Sequence, residues 1–140
     1  MSPGEFMALR DDMGNLQRQT SSSHGKSNSQ DLVRRRALSG LVIQAFEAGQ
    51  SSMDQKKYDA ALHFFDLVVA GSQNQGWGHY HRARAYAAMA DKKHTLSELK
   101  SASEAGFRDP SALAAPEFAP IQQEPEFREL QRKWSAGSVQ

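Results

Sequence analysis

The chain repeats apolar residues every three or four positions over most of its length after residue 30, which is the period of an amphipathic helix. The first such stripe predicts a helix from about residue 31 to 53, with Asp31 as its expected N-cap. A second stripe begins at Tyr58 and ends before Gly71, where the segment Ser-Gln-Asn-Gln-Gly indicates a helix stop and a loop. The two stripes together predict one helical hairpin.

A second helical hairpin is predicted immediately downstream. Its first helix runs from Trp77 to about Ala90, and its second helix, with Leu96 and Leu99 on one stripe, ends at Gly106. No stretch alternates apolar and polar residues well enough to indicate a β-strand. The pattern therefore predicts an all-α fold.

The two hairpins are related by a shift of 34 residues, which pairs Gly49 with Ala83, Ala61 with Thr95, Phe65 with Leu99, and Val68 with Ala102. This period and the residues Ala61-Leu-His-Phe-Phe65 resemble the tetratricopeptide repeat (TPR), whose 34-residue pattern includes A-x3-F. Gly49 stands at the glycine of that family, while Ala83 and Tyr86 stand at the glycine and the tyrosine of the next copy.

Several positions depart from the family pattern. Ala45 and His79 stand in place of its tryptophan, Ala48 and Arg82 stand in place of the leucine before the glycine, and the terminal proline is missing from both copies. The resemblance covers residues 42–106 and implies a right-handed superhelix of two helical hairpins.

The segments on either side of the two repeats follow other patterns. Residues 1–30 form a leader and a flexible Ser-rich linker, and the leader contains one apolar stripe, made by Phe6, Leu9, Met13 and Leu16. A detached helix of this length is marginal in water, so a disordered tail is expected, and a short amphipathic helix over residues 5–18 that docks on the rest of the chain is the alternative.

The C-terminal part predicts a cap. After residue 106 the chain contains four prolines, and Phe127, Leu130 and Trp134 form a stripe that Pro125 begins. A helix there would cover the end of the last repeat. The expected architecture is a TPR-like helical domain over residues 31–134, with an N-terminal extension, a C-terminal capping helix and a disordered tail at 135–140.

The resemblance also implies a binding face, because the first helix of each TPR lines the concave surface of the superhelix. On these first helices, the 34-residue shift relates one apolar and aromatic stripe to the other. The pairs are Ile43 with Trp77, Phe46 with Tyr80, Gln50 with Arg84 and Met53 with Ala87. The candidate partner-binding residues are Ile43, Phe46, Gln50, Met53, Trp77, Tyr80 and Arg84. Trp, Tyr and Arg are the residue types that contribute most to binding energy at interfaces.

Two qualifications follow from the same residues. The leader or the capping segment could instead cover Phe46, Trp77 and Tyr80, which would make them ordinary core. The carboxylate-clamp group of the family, which grips acidic C-terminal peptides with Lys, Asn and Arg, is not matched, because Phe46, Gln50 and His81 stand where its lysine and asparagines are expected.

Composition narrows the classes of function. The formal net charge of +1 implies no general attraction to nucleic acid, and the absence of cysteine excludes thiolate metal sites and Cys nucleophiles. No segment approaches the ~20 apolar residues that span a bilayer, so a cytoplasmic protein without membrane insertion is expected. Residues 34–36, three arginines, are interpreted as a solvated helix face, with a tether to nucleic acid or lipid as the weaker alternative.

No arrangement of catalytic residues is recognisable, and His79 and His81 diverge on their helix and cannot chelate one metal ion together. The sequence therefore predicts a non-enzymatic protein-interaction module, without metal or cofactor, that binds a peptide or helix of a protein partner. The alternative is a self-associating subunit, such as a homodimer, whose N-terminal helix docks in its own or a neighbour's groove.

Overall fold

The structure, a computed structural model, describes residues 9–11, 13 and 29–137. The helices within the described range are α1 (Ser29–Asp54), α2 (Tyr58–Gly71), α3 (Gln75–Ala88), α4 (Lys92–Glu104), two 3-10 segments (Pro110–Ala114 and Pro116–Ile121) and α5 (Pro125–Gly137). No strand occurs among the described residues. The predicted all-α class is confirmed.

Two helix ends differ from their predicted positions. Helix α1 begins at Ser29, so that Asp31 lies in its first turn and not at the N-cap. Helix α5 continues to Gly137, so that residues 135–137 are helical where a disordered tail was expected. The apolar stripe ends at Trp134, but the following Ser and Ala do not interrupt a helix, and the first strong breaker is Gly137. Residues 138–140 lie outside the described part.

The two hairpins share one geometry at the same 34-residue spacing. Helix α1 ends at Asp54 and helix α3 ends at Ala88, and the starts of α2 and α4 are likewise 34 residues apart. Each turn contains a non-glycine residue with positive φ, Lys56 at 59° and Ala90 at 60°. Because a left-handed residue redirects the chain sharply, the two turns place the second helix of each hairpin in the same way.

Burial follows the same spacing. Phe65 and Leu99 are both fully buried, and so are Val68 and Ala102. A Cβ built on Gly49 would lie 2.7 Å from Cδ1 of Phe65 and 2.9 Å from its Cζ, so glycine is required where this ring packs on α1. Phe65, Leu99, Val68 and Ala102, which the 34-residue shift pairs, thus lie in the interior of the two hairpins.

Each helix packs on the next one along the chain, α1 on α2, α2 on α3 and α3 on α4. The C-terminal part then covers the second hairpin, with the second 3-10 segment on α3 and helix α5 on α4. Phe118, Phe127 and Trp134 are fully buried in one apolar cluster with residues of α3 and α4. None of the helices within the described residues has the length and apolarity that crossing a bilayer requires.

A short part of the leader lies against the first hairpin. Residues 9–11 and 13 are helical, and Met13 is only 1% exposed in an apolar cluster with Leu38 of α1 and Leu67 of α2. The Arg10 guanidinium forms a 2.8 Å ion pair with Asp66 of α2. This docked turn agrees with the alternative of a short helix over residues 5–18, and the other residues of that range lie outside the described part of the chain.

Candidate functional site

Side chains of helices α1 and α3 contact one another and bring some of the predicted partner-binding residues together. Arg84 Nη1 donates a 3.2 Å hydrogen bond to Gln50 Oε1, which joins two residues 34 positions apart. The ring centroids of Phe46 and Trp77 are 4.4 Å apart. Gln50 and Arg84, which the 34-residue shift relates, are therefore neighbours across the two helices, and Phe46 and Trp77 form a second contact between them.

Tyr80 is not available on this surface, which corrects its assignment as a contact residue. It is 8% exposed, its ring stacks on Phe107 at 5.0 Å, and its hydroxyl donates a 2.7 Å hydrogen bond to the carbonyl oxygen of Ala112. Burial raises the pKa of this hydroxyl; the positive charge of Arg84 works against that rise, while Glu117 and Asp109 add to it. The alternative that the capping segment covers this position applies to Tyr80.

Met53 is also buried. It is 9% exposed and lies in an apolar cluster with Ala61, Phe65 and Ala85, inside the first hairpin and its junction with α3. It is the last of the four predicted positions on α1, and its side chain packs against α2. Met53 is therefore part of the core.

Arg84 is held by three groups of its own chain. Besides Gln50, its Nη1 lies 3.2 Å from Nδ1 of His81, and its Nη2 donates a 2.9 Å hydrogen bond to Oε1 of Glu117. Burial alone would raise the pKa of the Glu117 carboxyl. The hydrogen bond from Arg84 and several smaller contributions together outweigh burial, so this pKa is lowered. The guanidinium fastens the second 3-10 segment to α3.

His81 is buried beneath the strip, between α1 and α3. The sequence pattern did not identify it as a site residue. It is 7% exposed and its ring centroid lies about 5 Å from four aromatic rings, those of Phe46, Phe65, Trp77 and Tyr80. Burial, reinforced by the charge of Arg84, lowers its pKa to about 3. The imidazole is therefore neutral near pH 7, and its Nδ1 can accept the hydrogen bond from Arg84.

The open part of the strip is smaller than predicted. Ile43 is 55% exposed, and Phe46, Gln50 and Trp77 are half-buried. Ile43 borders a cleft of about 480 Å³ between α1 and the loop before α3, lined among others by Arg35, Ser39, Ser72 and Asn74. Asn74 Oδ1 accepts a 3.3 Å hydrogen bond from the backbone N–H of Trp77, which fixes the start of α3 beside this cleft.

The opposite side of α3 carries a separate charge network. Arg82 bonds Asp66 of α2 at 2.8 Å and Glu98 of α4 at 3.4 Å, and His79 lies 2.7 Å from Glu98. Because these residues pair the helices with one another, they secure the packing of α2, α3 and α4. Among the described residues, no group of three or more His, Cys, Asp or Glu side chains is placed to hold a metal ion.

No protein-family model, curated protein or solved structure matches this chain. Its function is therefore inferred from its own residues and their geometry.

Proposed function

We propose that the chain is a two-repeat, TPR-like interaction module that binds a peptide or helix of a protein partner along α1 and α3, without a chemical step. Three observations support the TPR-like interpretation: the shared 34-residue spacing of helix ends, the positive φ of Lys56 and Ala90, and the close approach of Phe65 to Gly49. The C-terminal segment and helix α5 then act as the cap that a solenoid end needs.

The observation that carries the binding proposal is the exposure of Ile43 next to the packed rings of Phe46 and Trp77. Exposed apolar side chains next to half-buried aromatic rings can bury further area against a partner at about 25 cal/mol per Å². The rings are already held in place by His81, so they lose little freedom on binding. A rigid apolar strip of this kind suits one face of an amphipathic peptide.

The proposed contact set is narrower than the strip that the sequence suggested. It contains Ile43, Phe46, Trp77 and the exposed edge of Gln50, with the cleft beside Ile43 as a pocket for one side chain. Tyr80 and Met53 support it from the interior. Arg84 contributes by holding Gln50 and the cap in place.

The test is selection of binding peptides from a random displayed library, followed by affinity measurements on two matched variants. Ile43→Asp places a charge on the strip, and we expect it to weaken the selected peptides at least about tenfold, or ~1.4 kcal/mol. Met89→Asp makes the same change at an apolar residue that is 40% exposed just beyond the end of α3, and it should leave affinity unchanged.

Tryptophan emission locates the bound peptide independently. Trp134 is fully buried in the cap, whereas Trp77 lies on the strip, so the Trp134→Phe chain reports on Trp77 alone. Peptide binding should change this emission. If no peptide is enriched, or if both Asp variants bind equally well, the proposed function is wrong.

The docking of Met13 favours a second candidate, a structural subunit in which the leader completes the first hairpin. In that case the leader serves folding or exchanges between chains, and no foreign peptide is needed. Light scattering after size exclusion, on the full chain and on a chain that starts at Ser29, distinguishes the two forms. A mass that falls on truncation indicates exchange of the leader between subunits.

A further inference from the structure

One face of α1 is exposed over four turns and has no partner among the described residues. Its members recur at spacings of three and four, the repeat that allows two helices to pack along a common line. They are Val33, Arg36, Gly40, Ile43 and Glu47, which we name the α1 seam. Val33 is 63% and Ile43 55% exposed, and the seam lies opposite the face of α1 that contains the buried Leu38 and Ala45.

Gly40 is the unexpected member of the α1 seam. It lies inside a 26-residue helix, where glycine costs about 1 kcal/mol relative to alanine. A Cβ built on it meets nothing within 4 Å, so the packing of this chain does not require a glycine there. A missing side chain in the middle of an exposed seam is suited to the close approach of a second helix, whose side chain can lie over the bare backbone.

The charges of the α1 seam identify which helix fits. Arg36 and Glu47 lie on either side of Gly40 and Ile43, and neither charge is in an ion pair within the described part of the chain. When two copies of α1 are laid antiparallel about the midpoint of Gly40 and Ile43, each Ile43 lies over the partner's Gly40. The same alignment places each Arg36 beside the partner's Glu47.

We propose that the chain forms an antiparallel homodimer through the α1 seam. The pattern is self-complementary, as a two-fold interface requires, because every contact occurs twice. A parallel arrangement would place Arg36 beside Arg36 and Glu47 beside Glu47, which is repulsive. The self-complementary contact from Arg36 to Glu47 is about 17 Å long at 1.5 Å per residue, so the dimer is expected to be weak and dependent on concentration.

This interface goes beyond the proposed peptide-binding function and shares one residue, Ile43, with it. Its test therefore uses Arg36 and Glu47, which are not on the peptide-binding strip. Both side chains are exposed, so their replacement leaves the fold intact, which circular dichroism verifies.

The experiment is sedimentation equilibrium of the full chain over a wide range of concentration. The mass of the parent should rise from the 15.5 kDa of one chain toward twice that value. Arg36→Glu and Glu47→Arg each place like charges together twice, and each should raise the dimer dissociation constant about tenfold or more. Arg35→Glu makes the same charge change as Arg36→Glu one position off the seam, and it should behave as the parent does.

Mixing the two weakened variants supplies the decisive arm. The Arg36→Glu chain has two acidic seam positions, 36 and 47, and the Glu47→Arg chain has two basic ones. In a mixed dimer each acidic position therefore faces a basic one, so the mixture should dimerise although neither variant does so well alone. Gly40→Leu should prevent the approach of the helices in any mixture.

Three results overturn the proposal: a parent that remains a monomer at every concentration, a dimer that the charge variants do not weaken, or a mixture that stays monomeric. A dimer that is insensitive to Arg36→Glu but lost in Met13→Asp places the interface at the leader. Peptide binding by the monomeric Arg36→Glu chain is measured separately, so the two proposals can fail independently.

Discussion

Gly40 and Gly49 lie nine residues apart on α1, and opposite physical reasons apply to them. At Gly49 the ring of Phe65 occupies the place of a side chain, and Phe65 is fully buried and cannot move aside cheaply. At Gly40 there is open space. The same residue type is therefore a packing requirement at one position and a loss of helix stability at the other.

Alanine at the two positions should shift stability in opposite directions. Gly49→Ala forces the Phe65 ring to move and should lower the free energy of unfolding by about 1–3 kcal/mol. Gly40→Ala should raise it by about 0.5–1 kcal/mol, because alanine restricts the unfolded chain and favours the helix. Urea denaturation at a concentration where the chain is monomeric measures both. Equal shifts in the two variants would contradict the packing of Phe65 against α1.

Non-repeat segments cover both ends of the two hairpins, the leader at α1 and α2 and the capping segment at α3 and α4. Trp134 is the largest fully buried side chain of the cap. Its indole Nε1 is buried without a hydrogen-bond partner among the described residues. Trp134 therefore stabilises the cap through the apolar area of its ring and not through a hydrogen bond from its N–H group.

Truncating this side chain should loosen the cap. Trp134→Ala is expected to lower the free energy of unfolding by about 3–5 kcal/mol, since it leaves a cavity beneath α5. Trp134→Phe should cost much less, because it keeps a ring and removes an unsatisfied donor. Arg132→Ala, on a side chain that is 75% exposed, is the control and should stay within about 0.5 kcal/mol of the parent. Chemical denaturation ranks the three, and a Phe variant as unstable as the Ala variant would show that the N–H group matters.

At the scale of the whole molecule, His81 ties the two hairpins and the cap to one buried polar centre. Its ring lies among aromatic side chains of α1, α2 and α3, and Arg84 links it to Glu117 of the capping segment. Protonation of His81 would place a second positive charge beside Arg84 in a buried site. The stability of the entire fold is therefore coupled to pH through this residue.

The sign of that coupling follows from its pKa of about 3 in the folded chain, below the ordinary value of 6.5. As pH falls below about 6.5, the unfolded chain gains a proton at His81 while the folded chain does not. The free energy of unfolding therefore decreases between pH 6.5 and pH 3, by up to ~1.4 kcal/mol per pH unit. Between pH 7.5 and pH 4.5 the loss in His81→Gln should be about 2 kcal/mol smaller than in the parent. Urea denaturation at both pH values measures it. His63→Gln, at an exposed histidine, is the control, and a parent-like loss in His81→Gln would refute the assignment.

The helices, their pairing and the 34-residue period could be predicted from the sequence. The reason is that α1 to α4 pack on their neighbours along the chain, so the pattern within each helix already specifies the face that its neighbour covers. The equivalence of Gly49 with Ala83 and of Phe65 with Leu99 in the two repeats followed from these patterns, and the structure places all four residues in the interior.

Only the tertiary structure decided which residues of the candidate strip remain open. A helical period assigns Tyr80 and Arg84 to a face, but it does not say which distant segment covers that face. The covering residues, Ala112 and Glu117, lie 32 and 33 positions downstream in short 3-10 segments, whose prolines leave no regular pattern to read. Ile43, in the middle of α1, stays exposed because no segment among the described residues covers its side of the helix. That outcome depends on packing and not on the sequence pattern.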